Sequence, residues 1–348
     1  MESLAKFLYQ EKQKTNLALE VFFDRVLADP NRNSRYLDLN QGIKTLVLRG
    51  GKKARSSLSR LSYSLAGGKK QEEMLQASLY LELIHTFLLV HDDIADNDQV
   101  RYGGPTLEAA FKKLNSDHYG RVLAMIAGDQ IRTLADYALD STEFSIETKN
   151  HVKSYMTEVL IDTIEGWLIQ YHLNFEPIDI NQENDFLKGL ELVTSRYSFA
   201  APLVVGVILA RGDEALISPL ITYAHHTGIA FQIRDDILGV FGDSQQTGKP
   251  VGNDIREGKK TLLVLEAYKK SNTKQRKLME KYLGYPLTQK QMGVIKEIIV
   301  ETGSLDYSQQ LASQHVAKAH KSLNVFEAKH EAIERLHQIA DFVVNRQF

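Results

Sequence analysis

The sequence predicts an all-α fold, a single large helical bundle, and three observations carry that expectation. Apolar residues recur at helical spacing, as at Leu75, Leu79 and Glu82 to Leu88, and again at Val152, Met156, Val159 and Thr163. Alternating β-branched runs between turn signals, the mark of half-buried strands, are scarce. Helix-start signals recur: Ser218-Pro219 reads as an N-cap with proline at the first helical position, and Thr288 with Gln291 reads as a capping box.

The chain has 348 residues, above the usual size of one domain but within reach of a large one, and one domain over 1–348 is expected. Hydrophobic residues make up 43% and charged residues 25%, which fits an ordinary globular protein. A net charge of -2 gives no field that would attract nucleic acid or an anionic membrane. There is no cysteine, so disulfides, thiol nucleophiles and cysteine-ligated metals are excluded. That fits a cytoplasmic protein. The longest oily run, Phe199 to Ala210, contains Pro202 and is too short to span a bilayer, so no transmembrane segment is expected.

Two helices stand out along the chain. Residues 74–91 are apolar on nearly every face, which predicts a buried helix, and residues 220–241 behave alike in their second half. Each runs into aspartates: Asp92, Asp93 and Asp96 after the first, Asp235 and Asp236 in the second. Carboxylates near a helix C-terminus face the negative end of the macrodipole, and burying them unpaired costs more. Asp92 and Asp96 are four apart and share a helix face. Two carboxylates on one face suit a hard divalent cation, and Mg²⁺ is commonly held by one or two carboxylates plus substrate phosphates.

Between Gly242 and Gly258 the chain lacks apolar periodicity and carries four glycines and several charges, which predicts a functional loop. Lys249, Asp254, Lys259 and Lys260 lie in or just after it. Gly51-Lys52-Lys53-Ala54-Arg55 forms a second cationic cluster, and Arg101 follows the first acidic motif. Lysines on a glycine-rich loop can cover a phosphate chain, and arginine grips phosphate oxygens through its fork of donors. Acidic and basic clusters together point to a polyanion bridged by metal, and a diphosphate ester fits. His118, His225 and His226 read as structural or solvent-facing, because adjacent histidines on a helix point in different directions.

At these residues the chain resembles the trans-isoprenyl diphosphate synthases, the family of farnesyl and geranylgeranyl diphosphate synthases. The first aspartate-rich motif is similar to Asp92-Asp93-Ile94-Ala95-Asp96, followed by Arg101 and Gly104-Pro105-Thr106. The second is similar to Phe231-Gln232-Ile233-Arg234-Asp235-Asp236-Ile237-Leu238-Gly239. The loop into Lys259 resembles the family's diphosphate-covering loop, GGKKARSSL its N-terminal basic motif, and Glu82-Leu83-Ile84-His85 its Glu-x-x-His. The resemblance implies an isoprenoid synthase bundle around a deep central cavity, a homodimer and three Mg²⁺ ions. It implies that Asp92, Asp93, Asp96, Asp235, Asp236 and Asp254 hold the metal. Arg101, Lys249 and Lys259 would contact the allylic diphosphate (dimethylallyl, geranyl or farnesyl). Lys52, Arg55 and His85 would hold isopentenyl diphosphate, and Thr194 and Gln232 would complete the substrate site. The implied activity is condensation of the two diphosphates to a C15–C20 product, with geranylgeranyl diphosphate favoured. A terpene cyclase and a non-catalytic subunit of a heteromeric synthase are the competing readings.

Several positions depart from that pattern. Tyr102 stands where a second arginine is usual, which weakens the isopentenyl diphosphate site. Val193 replaces a lysine, with Arg196 one turn on as a substitute. Gly166 to Gln170 lacks the aspartate of a Gly-Gln-x-x-Asp motif, the second acidic motif ends in Gly239, and Ser56 replaces a proline. On periodicity alone Phe87 reads as a core residue; the resemblance implies instead that an aromatic at its position, five before the first motif, limits product length, with Leu88 one turn before Asp92 beside it.

Overall fold

The computed structural model describes residues 3–28, 37–179, 183–242 and 252–345. The described residues are overwhelmingly helical. The helices in the first part of the chain are α1 (Leu4–Leu27), α2 (Leu37–Arg49), α3 (Ala54–Leu65), α4 (Gln71–Ala95), α5 (Leu107–Phe111), α6 (Asp117–Asp140) and α7 (Ile146–Phe175). A two-residue hairpin, β1 (Val100–Arg101) and β2 (Gly104–Pro105), separates α4 from α5. There follow α8 (Glu183–Leu190), a π-helical stretch Glu191–Ala200, α9 (Ala201–Ala210) and α10 (Ile217–Phe241). The last part holds α11 (Asn253–Arg256), α12 (Leu262–Lys270), α13 (Thr273–Tyr282), α14 (Gln289–Glu301), α15 (Ser304–Ser322) and α16 (Glu331–Asn345). The all-α expectation holds. Within that fold the chain groups into two compact units: Met1–Lys153 with Val205–Asp213, and Ser154–Val204 with Glu214–Phe348.

In the first unit α4 is buried along nearly its whole length, as its continuous apolar sequence requires. α6 lies against it with Ala124, Ala127, Gly128, Ala135 and Ala138 buried, small residues that let two helices pack closely. α3 buries four serines, Ser56, Ser57, Ser59 and Ser62, beside Leu58, Leu61 and Tyr63. Ser56 Oγ lies 3.1 Å from Thr15 Oγ1 and 2.7 Å from Ser78 Oγ, so each hydroxyl finds a partner away from water.

In the second unit α10 packs on the π-helical stretch and on α15 and α16. A side chain at Gly228 would collide with the backbone of Ser195, which fixes how closely α10 and the π-helical stretch approach. Buried Tyr223 donates its hydroxyl to the Leu336 carbonyl at 2.7 Å, joining α10 to α16. The four periodic positions Val152, Met156, Val159 and Thr163 are all buried on α7.

Thr288 and Gln291 form the predicted capping box on α14. The Ser218-Pro219 expectation is corrected. α10 begins at Ile217, so Pro219 is its third residue, where a missing N–H still leaves no intrahelical bond unmade. The oily run behaves as a core segment. It is part of a longer helical stretch, Asn184–Ala210, which like α4 is long and apolar enough to cross a membrane by length and composition. Of their most apolar windows, 83% and 72% of the residues are buried inside the protein, as core helices are.

Candidate functional site

In the first unit the predicted site residues gather at the C-terminal end of α4. Asp92 and Asp96 are half-exposed, while Asp93 turns inward and is 2% exposed. The reason is Arg101 on β1, which is itself buried. Its Nε donates to Asp93 at 2.6 Å, and its Nη2 reaches Asp92 at 3.1 Å and Asp98 at 3.3 Å. Burial pushes the Asp93 carboxyl up to about 6 even with that guanidinium beside it, and its second oxygen is buried without a hydrogen-bond partner. Asp93, expected among the metal ligands, pairs here with Arg101.

Beside this lies a cationic group. Lys52 is exposed on the short approach to α3, and Arg55, in its first turn, is half-buried. Glu82 Oε1 accepts the Ser56 amide at 3.0 Å, which ties the start of α3 to α4. A proline at position 56 has no amide to give, so Ser56 is matched to Glu82 and to its two hydroxyl partners. His85, one turn after Glu82, is held well below its ordinary value by burial and then by the charges of Arg55, Lys53 and Arg101. At neutral pH it is therefore a neutral imidazole among cations. Tyr102 adopts a left-handed backbone (φ 54°) and lays its ring on Gly50 and Gly51; a Cβ on Gly50 would sit 2.5 Å from that ring.

Phe87 is half-buried and meets His91 edge-on with ring centroids 5.0 Å apart, while Leu88 is buried. His91 in turn rests on Gly128 of α6, where a Cβ would lie 2.6 Å from its Nε2. Nothing in the sequence pattern marked His91 or Gly128, because their meeting depends on how α4 and α6 pack.

The second unit has an acidic and polar cluster of its own on α10. Asp235 is exposed on α10 and Asp236 is buried. Thr194, in the π-helical stretch, donates to Gln232 Oε1 at 2.9 Å, and Gln232 Nε2 donates to Asp236 Oδ1 at 2.9 Å. Burial, then the charge of Asp254, raises the Asp236 carboxyl well above its usual range. Its Oδ2 is buried with no hydrogen-bond partner. The Asp254 carboxylate occupies the space next to Gly239, 2.5 Å from where a Cβ would be, so the absence of an aspartate at 239 is what admits Asp254. Lys259 lies 3.6 Å from Asp254 and 2.8 Å from Glu257. Lys249 lies outside the described residues.

Two basic doublets divide in the same way. Lys53 is buried and donates to the Val47 carbonyl at 2.6 Å, and Lys260 is buried and donates to the carbonyls of Leu173 and Glu176. Each closes the C-terminal end of a helix, α2 and α7, where carbonyls lack intrahelical donors. Their partners in the doublets differ: Lys52 is exposed, and Lys259 is half-buried beside Asp254 and Glu257. The departures in the second unit also find partners. Val193 packs its Cγ2 against Gly166, and Arg196 pairs with Asp162 at 2.6 Å. Asp162 stands one turn before Gly166, and the ion pair joins α7 to the π-helical stretch.

Among the described residues, no three acidic or histidine side chains converge as a ready metal cage. Mg²⁺ rarely uses such a cage and takes one or two carboxylates with phosphates and water. The orphaned Asp236 oxygen and the shared face of Asp92 and Asp96 suit that ion.

Comparison with known proteins agrees with the motifs. The polyprenyl synthetase family profile matches residues 38–302. A geranylgeranyl diphosphate synthase of Sulfolobus acidocaldarius is 33% identical over 87% of this chain and 89% of its own length. A geranylfarnesyl diphosphate synthase of Aeropyrum pernix is 34% identical over 86% of this chain and 92% of its own. Among solved structures, a geranylgeranyl pyrophosphate synthase from Corynebacterium glutamicum, complexed with isoprenyl diphosphate and magnesium, superposes with a TM-score of 0.89 at 29% identity. That match covers 99% of this chain and 100% of the other.

Proposed function

The chain belongs to the polyprenyl synthetase family and is a short-chain trans-prenyltransferase, and from that premise we propose that it makes geranylgeranyl diphosphate in an Mg²⁺-dependent condensation. The observation that supports the reading most directly is the pair of carboxylates on one face at the end of an apolar helix, with cations beside them. In this reading Asp92, Asp96, Asp235, Asp236 and Asp254 would hold the Mg²⁺, of which three ions are expected. When bound, Mg²⁺ would supply positive charge to stabilise the departing diphosphate.

Lys259 and Lys249 add positive charge where the leaving diphosphate develops its own. Arg101 is fixed by Asp93 and Asp98, so it meets substrate already oriented. Thr194 fixes Gln232, and Gln232 fixes Asp236, so this part of α10 is positioned before substrate arrives. Lys52, Arg55 and neutral His85 hold isopentenyl diphosphate. Its double bond provides the electron pair for the new carbon–carbon bond, and the proton lost goes to the released diphosphate. The apolar face of α4 that leads to Asp92 accommodates the growing chain and keeps water from the cation. We further place the enzyme in the cytoplasm as a homodimer. Geranylfarnesyl diphosphate, the product in the name of the Aeropyrum relative, is the nearest competitor for product length.

The test is incubation of the purified protein with farnesyl diphosphate and Mg²⁺, with and without isopentenyl diphosphate. A C20 diphosphate that forms only when both substrates are present, and not in EDTA, is expected. Hydrocarbon in both tubes would identify a cyclase instead, and no turnover by the protein alone would identify a non-catalytic subunit.

A further inference from the structure

We propose that Arg49 supplies the second diphosphate-binding guanidinium that this chain lacks at position 102, beside Arg101 on one face of the β1–β2 hairpin. Arg101 and Gly104 are directly opposed in that antiparallel pair, so their side-chain positions lie on the same face. The Arg49 guanidinium fills the side-chain position of Gly104, where any larger residue would overlap it. It is held there by its Nη2, which donates to the Pro105 carbonyl at 2.7 Å.

The two guanidinium groups differ in what surrounds them. Arg101 is engaged by Asp92, Asp93 and Asp98. Arg49 forms no ion pair among the described residues, and its Nε is buried without a hydrogen-bond partner. Burial lowers its pKa, and Asp93 is the one charge that offsets this. A partly desolvated guanidinium without a carboxylate is suited to an incoming anion, and its fork matches phosphate oxygens. Tyr102 cannot fill that role, because its ring is committed to Gly50 and Gly51. Lys53, Arg55 and Arg101 all act on His85, which puts the same kind of charge in this unit. The ligand chemistry is a diphosphate ester, and the inference rests on the function proposed above. We assign it to isopentenyl diphosphate because Tyr102 stands at the position whose arginine that substrate would use.

Arg49→Gln tests this, since glutamine keeps a donor for the Pro105 carbonyl and removes the charge. Binding of isopentenyl diphosphate is measured by calorimetry without metal. Binding of a non-hydrolysable allylic thiolodiphosphate is measured with Mg²⁺. Loss of a charge-assisted contact is expected to weaken the first about tenfold or more and leave the second nearly unchanged. In turnover, KM for isopentenyl diphosphate is expected to rise further than kcat falls. The double variant Arg49→Gln/Tyr102→Arg returns a guanidinium to the hairpin and is expected to recover affinity, which a merely misfolded hairpin would not allow. If both ligands weaken alike, or kcat alone falls, Arg49 is a structural residue and the proposal is wrong. Wild-type affinity in folded Arg49→Gln also overturns it. A wild-type protein that binds neither diphosphate overturns the proposed function itself.

Discussion

Phe87 sits on the flank of α4 with its ring edge-on to His91, and His91 is seated on Gly128. If Phe87 limits product length as proposed, its ring is braced for that by His91 and Gly128. Phe87→Ala opens space beside the chain-binding face and is expected to shift products beyond C20, read by chromatography of the dephosphorylated alcohols; an unchanged distribution removes Phe87 from the argument. Gly128→Ala places a methyl 2.6 Å from His91 Nε2, so the imidazole must swing away from its seat. The same assay is expected to show an altered product distribution, because Phe87 loses its neighbour. At this scale the sequence shows that Asp92 and Asp96 share a face. It does not show that Asp93 faces the other way, since that depends on Arg101 arriving from the hairpin. Nor does it show that Ser56 is required as an amide donor to Glu82, because the partner lies on another helix.

Between α10 and α15 a histidine pair couples two elements of the second unit. His226 Nδ1 lies 3.2 Å from His315 Nδ1, and the His225 ring stands beside both. The sequence drew attention to the adjacent pair 225–226, but the contact that matters crosses to His315, which no local spacing reveals. Burial first, and then the neighbouring histidines and Lys318, hold His226 and His315 at about 4. Glu191 faces His225 at 3.5 Å. In the unfolded chain these imidazoles take up protons near their ordinary 6.5, so between that pH and about 4 the unfolded state binds more protons than the folded one. Stability contributed by keeping the pair neutral is therefore full above that window and lost as pH falls through it. Tm is expected to drop on acidification from pH 7 towards pH 4, and to drop less in His315→Gln. A Tm difference between the two pH values that His315→Gln leaves untouched would show that other groups govern the acid sensitivity. Helix ends were more legible than helix contacts. Thr288 and Gln291 form their predicted box because both partners lie within one turn, and Thr288→Ala is expected to cost about 1 kcal/mol of stability, measured by denaturant titration.

For the whole molecule, the all-α class and the burial of α4 follow from apolar periodicity, since a helix that is oily all round has nowhere else to go. The grouping into two units does not follow from any composition break, because the first unit takes in Val205–Asp213 from far along the chain. What periodicity also leaves unsaid is which apolar face stays uncovered. On α6, one face is given to Ala124, Ala127 and Gly128, which are buried. Another presents Tyr119, Val122, Met125 and Ile126 to solvent, at helical spacing and between 37% and 56% exposed. Such a stripe is costly to leave in water, and a second copy of the chain is the occupant consistent with the proposed homodimer. Light scattering on the purified protein is expected to give twice the 39.4 kDa chain mass. Met125→Glu with Ile126→Glu places two carboxylates on the stripe of each copy, so four meet across a two-fold axis. That variant is expected to run as a monomer with its helical circular dichroism retained. A dimer that survives both substitutions unchanged would place the interface on another face of the molecule.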